Sequence, residues 1–188
     1  MAASMEHIPL TIRSRCHTLF FAPVATAELT TALHARGIDQ DSSMLLAHIS
    51  RGLPGLALHF REFSDDLALM VKRIESFLHV AGASLNEQLA FTQTLVKPGE
   101  SGPEARDRVL LLLEDWERAL RDTLALSVGA DSVITLPTLH PALTRLAERL
   151  DPHTLVATLG SVDMARRAIG SNVHPRFVIE HFFTSISP

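Results

Sequence analysis

The sequence predicts an all-α protein. Apolar residues recur with the helical period over most of the 188 residues. The stretches between them carry the Gly, Pro, Asp and Ser residues that end one helix and begin the next. With 46% hydrophobic and 20% charged residues, the chain can form one domain or two small ones around a real core. No apolar run approaches the roughly 18 residues that span a bilayer, so we expect no membrane segment.

The first 22 residues are the part of the chain without a clear helical period. Residues 17–21 carry three large apolar side chains and then meet Pro23, which predicts a short strand. The start, residues 1–7, has neither the basic region nor the long apolar region of a signal peptide. We therefore expect a cytoplasmic protein.

Three short helices are predicted next. One face of the first helix is formed by Ala25, Leu29, Ala32 and Leu33. Gly37 is placed to end that helix in a left-handed conformation, with Ile38 completing a Schellman motif. Asp41 or Ser42 is expected to cap the second helix. Pro54, within the turn 52–55, suits the first position of the third.

A larger helical bundle is predicted to follow. Its apolar faces are Leu67, Met70, Val71, Ile74, Phe77, Leu78 and Ala81; then Leu85, Leu89, Thr92 and Val96; then Val109–Leu113, Trp116, Leu120 and Leu124; then Leu139, Leu143, Leu146, Ala147 and Leu150; then Leu155, Leu159, Val162 and Ile169; and last Ile179, Phe182, Phe183 and Ile186. The helix with Trp116 is apolar on more than one side, which predicts a central position. Asp151 and Pro152 suit the start of the helix after them, and Pro175 that of the last. Asp65, Asp66, Glu114 and Asp115 are interpreted as acids of a helix surface or first turn.

Three segments resemble one known family. Thr-Ile-Arg-Ser-Arg-Cys at 11–16 is similar to the Ser-Arg-Cys motif of the clamp-loader ATPases of the AAA+ superfamily. Residues 51–58 resemble the lid signature of delta-prime-type subunits of the bacterial DNA polymerase III clamp loader, and residues 172–180 resemble the last collar helix of such subunits. The segments occur in the order and at the spacing of this family and are spread over most of the chain, from residue 11 to residue 180. The middle, roughly residues 63–170, resembles the family only as generic helices.

The resemblance implies an organisation and a function. Residues 1–22 would be a remnant of the nucleotide-binding domain, residues 23–63 the three-helix lid domain, and residues 64–188 the helical collar that holds a ring together. Arg15 would be an arginine finger acting in trans on ATP bound by a neighbouring subunit, within the motif Ser14-Arg15-Cys16. The implied partners are gamma/tau and delta-type subunits in a hetero-pentamer, and indirectly the sliding clamp and primed DNA, in DNA replication.

Two departures from the family pattern bear on activity. The sequence contains no Gly-x-x-x-x-Gly-Lys-[Ser/Thr] phosphate loop. Gly55 occupies the position at which ATPase members carry a sensor 2 arginine, and Arg51 lies four residues earlier. We therefore expect a piece of a polymerase III complex that neither hydrolyses ATP by itself nor holds a cofactor.

The residues also leave plainer interpretations open. Arg13 and Arg15 are compatible with ordinary surface ion pairs, and Cys16 with a small buried packing residue. Cys16 is the only cysteine and the ten histidines are scattered, so no metal site is expected. Phe177, Phe182, Phe183 and Trp116 are candidates for an apolar collar surface, although helical aromatic residues usually face a core.

Two alternative functions are considered. A gamma/tau-type clamp-loader fragment is disfavoured by Gly55. A helix-turn-helix DNA-binding protein is suggested by the helices 25–36 and 41–51 around Gly37. The second of these helices begins with acidic and apolar residues where base-reading donors are needed. A net charge of −4 also lacks the basic footprint of a nucleic-acid-binding domain.

Overall fold

The computed structural model describes residues 9–17, 19, 21–97 and 99–186, and of Arg13 only the backbone. All regular secondary structure in these residues is helical. The helices are α1 (Leu10–Arg13), α2 (Thr26–Ala35), α3 (Gln40–Ile49), α4 (Pro54–Glu62), α5 (Ser64–Ala81), α6 (Leu85–Leu95), α7 (Pro103–Ser127), α8 (His140–Ala147), α9 (Pro152–Gly170) and α10 (Pro175–Thr184), with 3₁₀ turns at Asp131–Val133 and Pro137–Leu139. The all-α class is thereby confirmed. Within these residues, no helix is long and apolar enough to cross a membrane.

The strand predicted for residues 17–21 is not seen where that stretch is described. Residues 17, 19 and 21 have no regular secondary structure, and residues 18 and 20 lie outside the described part of the chain. A strand needs a neighbouring strand to pair with, and the described residues offer only helices.

The end of α2 has the backbone geometry that the sequence predicts. Gly37 has a φ of +82°, and its N–H donates to the carbonyl of His34 at 2.9 Å. The N–H of Ile38 donates to the carbonyl of Leu33 at 3.4 Å. These two bonds form the Schellman motif and confirm the predicted end of α2.

The predicted cap of α3 is wrong. Neither Asp41 nor Ser42 is the cap, because α3 begins at Gln40. Asp39 takes that position instead, and its carboxylate accepts the N–H of Ser42 at 2.9 Å. The Schellman motif at the end of α2 brings the chain out of the turn directly at Asp39, so this side chain is the first that can reach the free N–H groups of α3.

The turn between α3 and α4 is held against the segment that precedes α2. Gly52 has a φ of +74°, and its carbonyl accepts the N–H of Val24 at 2.7 Å. A Cβ at Gly52 would lie 2.2 Å from the carbonyl oxygen of Val24. Pro54 occupies the first turn of α4, as predicted. The turn therefore fixes the path of the chain just before the three short helices.

The longest helix, α7, is the centre of the bundle and contacts α5, α8, α9 and α10. Its buried Trp116 stacks on Phe77 of α5, with ring centres 4.9 Å apart, and on Phe182 of α10 at 5.3 Å. One continuous apolar cluster extends from Leu29 in α2 to Phe183 in α10. The central position predicted for this helix is confirmed.

The α6 helix packs largely on the predicted face. Thr92 and Val96 are buried and Leu89 is half-buried, as predicted. Leu85 is exposed, however, and Gln88, which was not on the predicted face, is buried.

The side-chain amide of Gln88 donates to the carbonyl oxygens of Val80 and Ala81, at 3.4 Å each. These carbonyls belong to the last turn of α5, where the helix has no further N–H groups to offer, and that of Val80 also accepts the N–H of Ala83 at 2.9 Å. The burial of Gln88 in α6 is therefore explained by the hydrogen bonds that it donates to the C-terminal end of α5.

Candidate functional site

The Ser14-Arg15-Cys16 motif lies directly after the single turn of α1. The N–H of Ser14 donates to the carbonyl of Leu10 at 3.0 Å, and that of Arg15 to the carbonyl of Ile12 at 3.0 Å. The Ser14 hydroxyl donates to the carbonyl of Thr11 at 3.2 Å. The backbone of the motif is thus held by local turn bonds.

All three motif side chains are exposed. The expectation that Cys16 is a buried packing residue is therefore wrong. The physical reason is that the segment lies outside the apolar core, since Leu10 and Ile12 of α1 are exposed as well. The Arg15 guanidinium is permanently charged and presents a planar set of donors. This position leaves it available to a phosphate or carboxylate on another molecule.

The region predicted to correspond to sensor 2 offers no side chain at Gly55. Gly55 lies in the first turn of α4, with no other atoms within 4 Å of a built Cβ. Arg51 is exposed and has a φ of +55°, an uncommon conformation for a residue with a side chain. It borders a surface depression with Glu117 and Arg166. Arg51 therefore lies on the surface beside α7 and α9.

A buried polar network on α7 was missed by the sequence interpretation. Asp115, Arg118 and Asp122 are all buried, and their spacing places them near one face of the helix. The prediction that Asp115 is an acid of a helix surface or first turn is wrong, because Asp115 is buried in the middle of α7 and its carboxylate accepts from Nε of Arg73 at 2.6 Å. One feature of the sequence indicates this network. Residues of opposite charge recur at helical spacing in a helix that is apolar on several sides, so that charged side chains fall on faces that are buried.

This network joins the three short helices to the bundle. Nη1 of Arg118 donates to the carbonyl of Ile49 at the end of α3. His48, also in α3, is hydrogen-bonded through Nδ1 to the carbonyl of Ile134 at 3.0 Å. A cation at a helix C-terminus meets carbonyl groups that lack partners in the helix. The two parts of the chain are therefore connected by polar bonds as well as by the apolar core.

Burial dominates the electrostatics of the network. Burial raises the pKa of Asp115, against the lowering effect of Arg73. Burial also raises the pKa of Asp122, although its carboxylate accepts the N–H groups of Thr135 and Leu136, both at 2.8 Å. For Arg118 the same loss of water lowers the pKa, with a further contribution from Arg51. All three charged forms are thus held at a desolvation cost.

The structure separates the four aromatic residues considered for an apolar surface. Trp116, Phe182 and Phe183 are buried in the core. Phe177 lies on α10 with 62% of its surface exposed, and its ring is 5.4 Å from that of His174. Of these four, Phe177 is therefore the residue available for contact with another molecule.

The arrangement of potential metal ligands gives no centre. In the part of the chain that the structure describes, no group of three or more His, Cys, Asp or Glu side chains is placed to hold a metal ion.

The comparisons with known proteins add no relative. The chain gives no match to protein-family models, to curated protein sequences or to solved structures.

Proposed function

We propose that this chain is the lid and collar portion of a delta-prime-like clamp-loader subunit. In this proposal it assembles into a hetero-pentameric ring with gamma/tau and delta-type subunits and presents Arg15 to ATP bound by a neighbour. The observation that carries the proposal is the exposed Arg15 in a Ser-Arg-Cys motif, followed by three short helices and a bundle. Its role would be in loading a sliding clamp onto primed DNA.

In this proposal, Arg15 stabilises the negative charge that develops during phosphoryl transfer. Negative charge spreads over the oxygens of the transferring group, and a guanidinium inserted from outside neutralises part of it. In GTPases a residue of this kind contributes about 10³–10⁵ in rate. Arginine suits the role because it stays ionised at any physiological pH. Such a group acts only when a second subunit brings the nucleotide.

The segment before α2 is anchored where it reaches the short helices. The N–H of Val24 donates to the carbonyl of Gly52 in the turn between α3 and α4, at 2.7 Å. The carbonyl of Ile49, at the end of α3, accepts from Arg118 of α7. These contacts support a fixed link between the short helices and the bundle from Val24 onwards, whereas the Arg15 motif itself is held by the local turn bonds after α1.

The test is reconstitution with the ATPase and clamp-opening subunits, the clamp and primed DNA. DNA-stimulated ATP hydrolysis is measured for the wild-type chain, for Arg15→Ala and for Arg36→Ala, a second exposed arginine at the end of α2. We expect Arg15→Ala to lower hydrolysis although it still assembles on size-exclusion chromatography, and Arg36→Ala to leave it unchanged.

Equal rates for all three chains would overturn the assignment of Arg15. Two measurements on the chain alone complete the test. We expect no ATP hydrolysis, and no tight binding to duplex DNA in a filter assay at low salt. Tight binding to DNA by the isolated chain would favour the helix-turn-helix alternative instead.

A further inference from the structure

We draw no further inference here: the strongest candidate, the exposed face of α9 formed by Val156, Gly160 and Met164 opposite the buried side of that helix, is an apolar surface patch, and nothing in the part of the chain that the structure describes shows what covers it.

Discussion

Gly52 shows how a single residue sets the position of a larger segment. Its left-handed backbone is open to glycine at little cost, whereas a side chain there costs about 1–2 kcal/mol. Its carbonyl holds Val24, and a Cβ would collide with the Val24 carbonyl oxygen at 2.2 Å. Conformation and contact therefore both exclude a larger residue at this place.

We expect Gly52→Ala to lower the free energy of unfolding by at least about 2 kcal/mol, because strain and collision add. Gly55→Ala is the matched control, since Gly55 lies within α4 at negative φ with open space around it. It is expected to be neutral or to stabilise by up to about 1 kcal/mol. Urea unfolding followed by far-UV circular dichroism measures both. Similar midpoints for the two variants would contradict the role given to Gly52.

At this scale the sequence predicts the end of α2 and the starts of α4, α9 and α10, but not the start of α3. The Schellman motif at Gly37 could be identified because a left-handed glycine followed by an apolar residue has few other uses. The cap of α3 could not, since Asp39, Asp41 and Ser42 are all good capping residues. For Cys16, general burial statistics were the wrong guide, because a short segment outside the core has nothing to bury against.

Between elements, the pair Arg73–Asp115 connects α5 to α7 inside the bundle. Burial already raises the pKa of Asp115 above its ordinary value of 3.8, and Arg73 acts against that rise. An acid with a raised folded-state pKa destabilises the protein above that pKa, and the cost disappears as the pH falls through it. Removing Arg73 therefore increases the free-energy cost of keeping Asp115 ionised in the folded protein, and this cost depends on pH.

We expect Arg73→Met to lower the free energy of unfolding by about 3 kcal/mol near pH 8, because it leaves a buried carboxylate without its partner. The loss should shrink as the pH is lowered, since Asp115, with its raised pKa, takes up a proton sooner than an ordinary aspartate. The measurement is urea unfolding at several pH values.

Arg121→Met is the control for this prediction. Arg121 is exposed and pairs with Glu117 one turn earlier on the surface of α7. Its loss is expected to cost less than about 0.5 kcal/mol and to change little with pH. A loss for Arg73→Met that stays constant over the pH range would show that Asp115 does not carry the effect.

The elements also show where apolar periodicity stops being informative. It located α5, α7 and α9 because their apolar faces are long and regular. In α6 it missed Gln88, which is buried and donates to the last carbonyls of α5. It also placed Asp115 outside. Both errors have one cause, since a buried polar side chain is explained by its hydrogen-bond partner on another helix, which apolar periodicity does not indicate.

For the whole molecule, the exposed Phe177 is the residue at which the proposed assembly can be tested. Large apolar side chains on a surface are common singly, so its exposure alone decides nothing. Within the proposed function, α10 belongs to the collar, and Phe177 is its most exposed aromatic residue at 62%.

We expect Phe177→Glu to weaken assembly with the ATPase subunits, since it places a charge in an apolar contact. The far-UV spectrum and the stability of the isolated chain should stay unchanged. Val128→Glu is the control, at a similarly exposed position after the end of α7. Size-exclusion chromatography of the mixtures measures assembly. Equal loss with both variants, or none with Phe177→Glu, would contradict a contact at this residue.

The whole architecture was predicted as a list of helices but not as an arrangement. Glycine and proline residues divided the chain into three short helices and a bundle, and the division into domains at residue 63 stays a prediction. In addition to the apolar core, two hydrogen bonds connect the short helices to the rest of the chain, one between Arg118 and Ile49 and one between His48 and Ile134. These partners are 69 and 86 residues apart in sequence, so no local pattern could indicate them.

The stacked core has a practical consequence. Trp116 is the only tryptophan and the chain has no tyrosine, so one indole provides its intrinsic fluorescence. This indole is fully buried between Phe77 and Phe182. Its emission therefore reports on the junction of α5, α7 and α10 alone, and it moves to longer wavelength only when water reaches that junction. The molecule therefore contains an intrinsic optical probe of the place where these three helices meet.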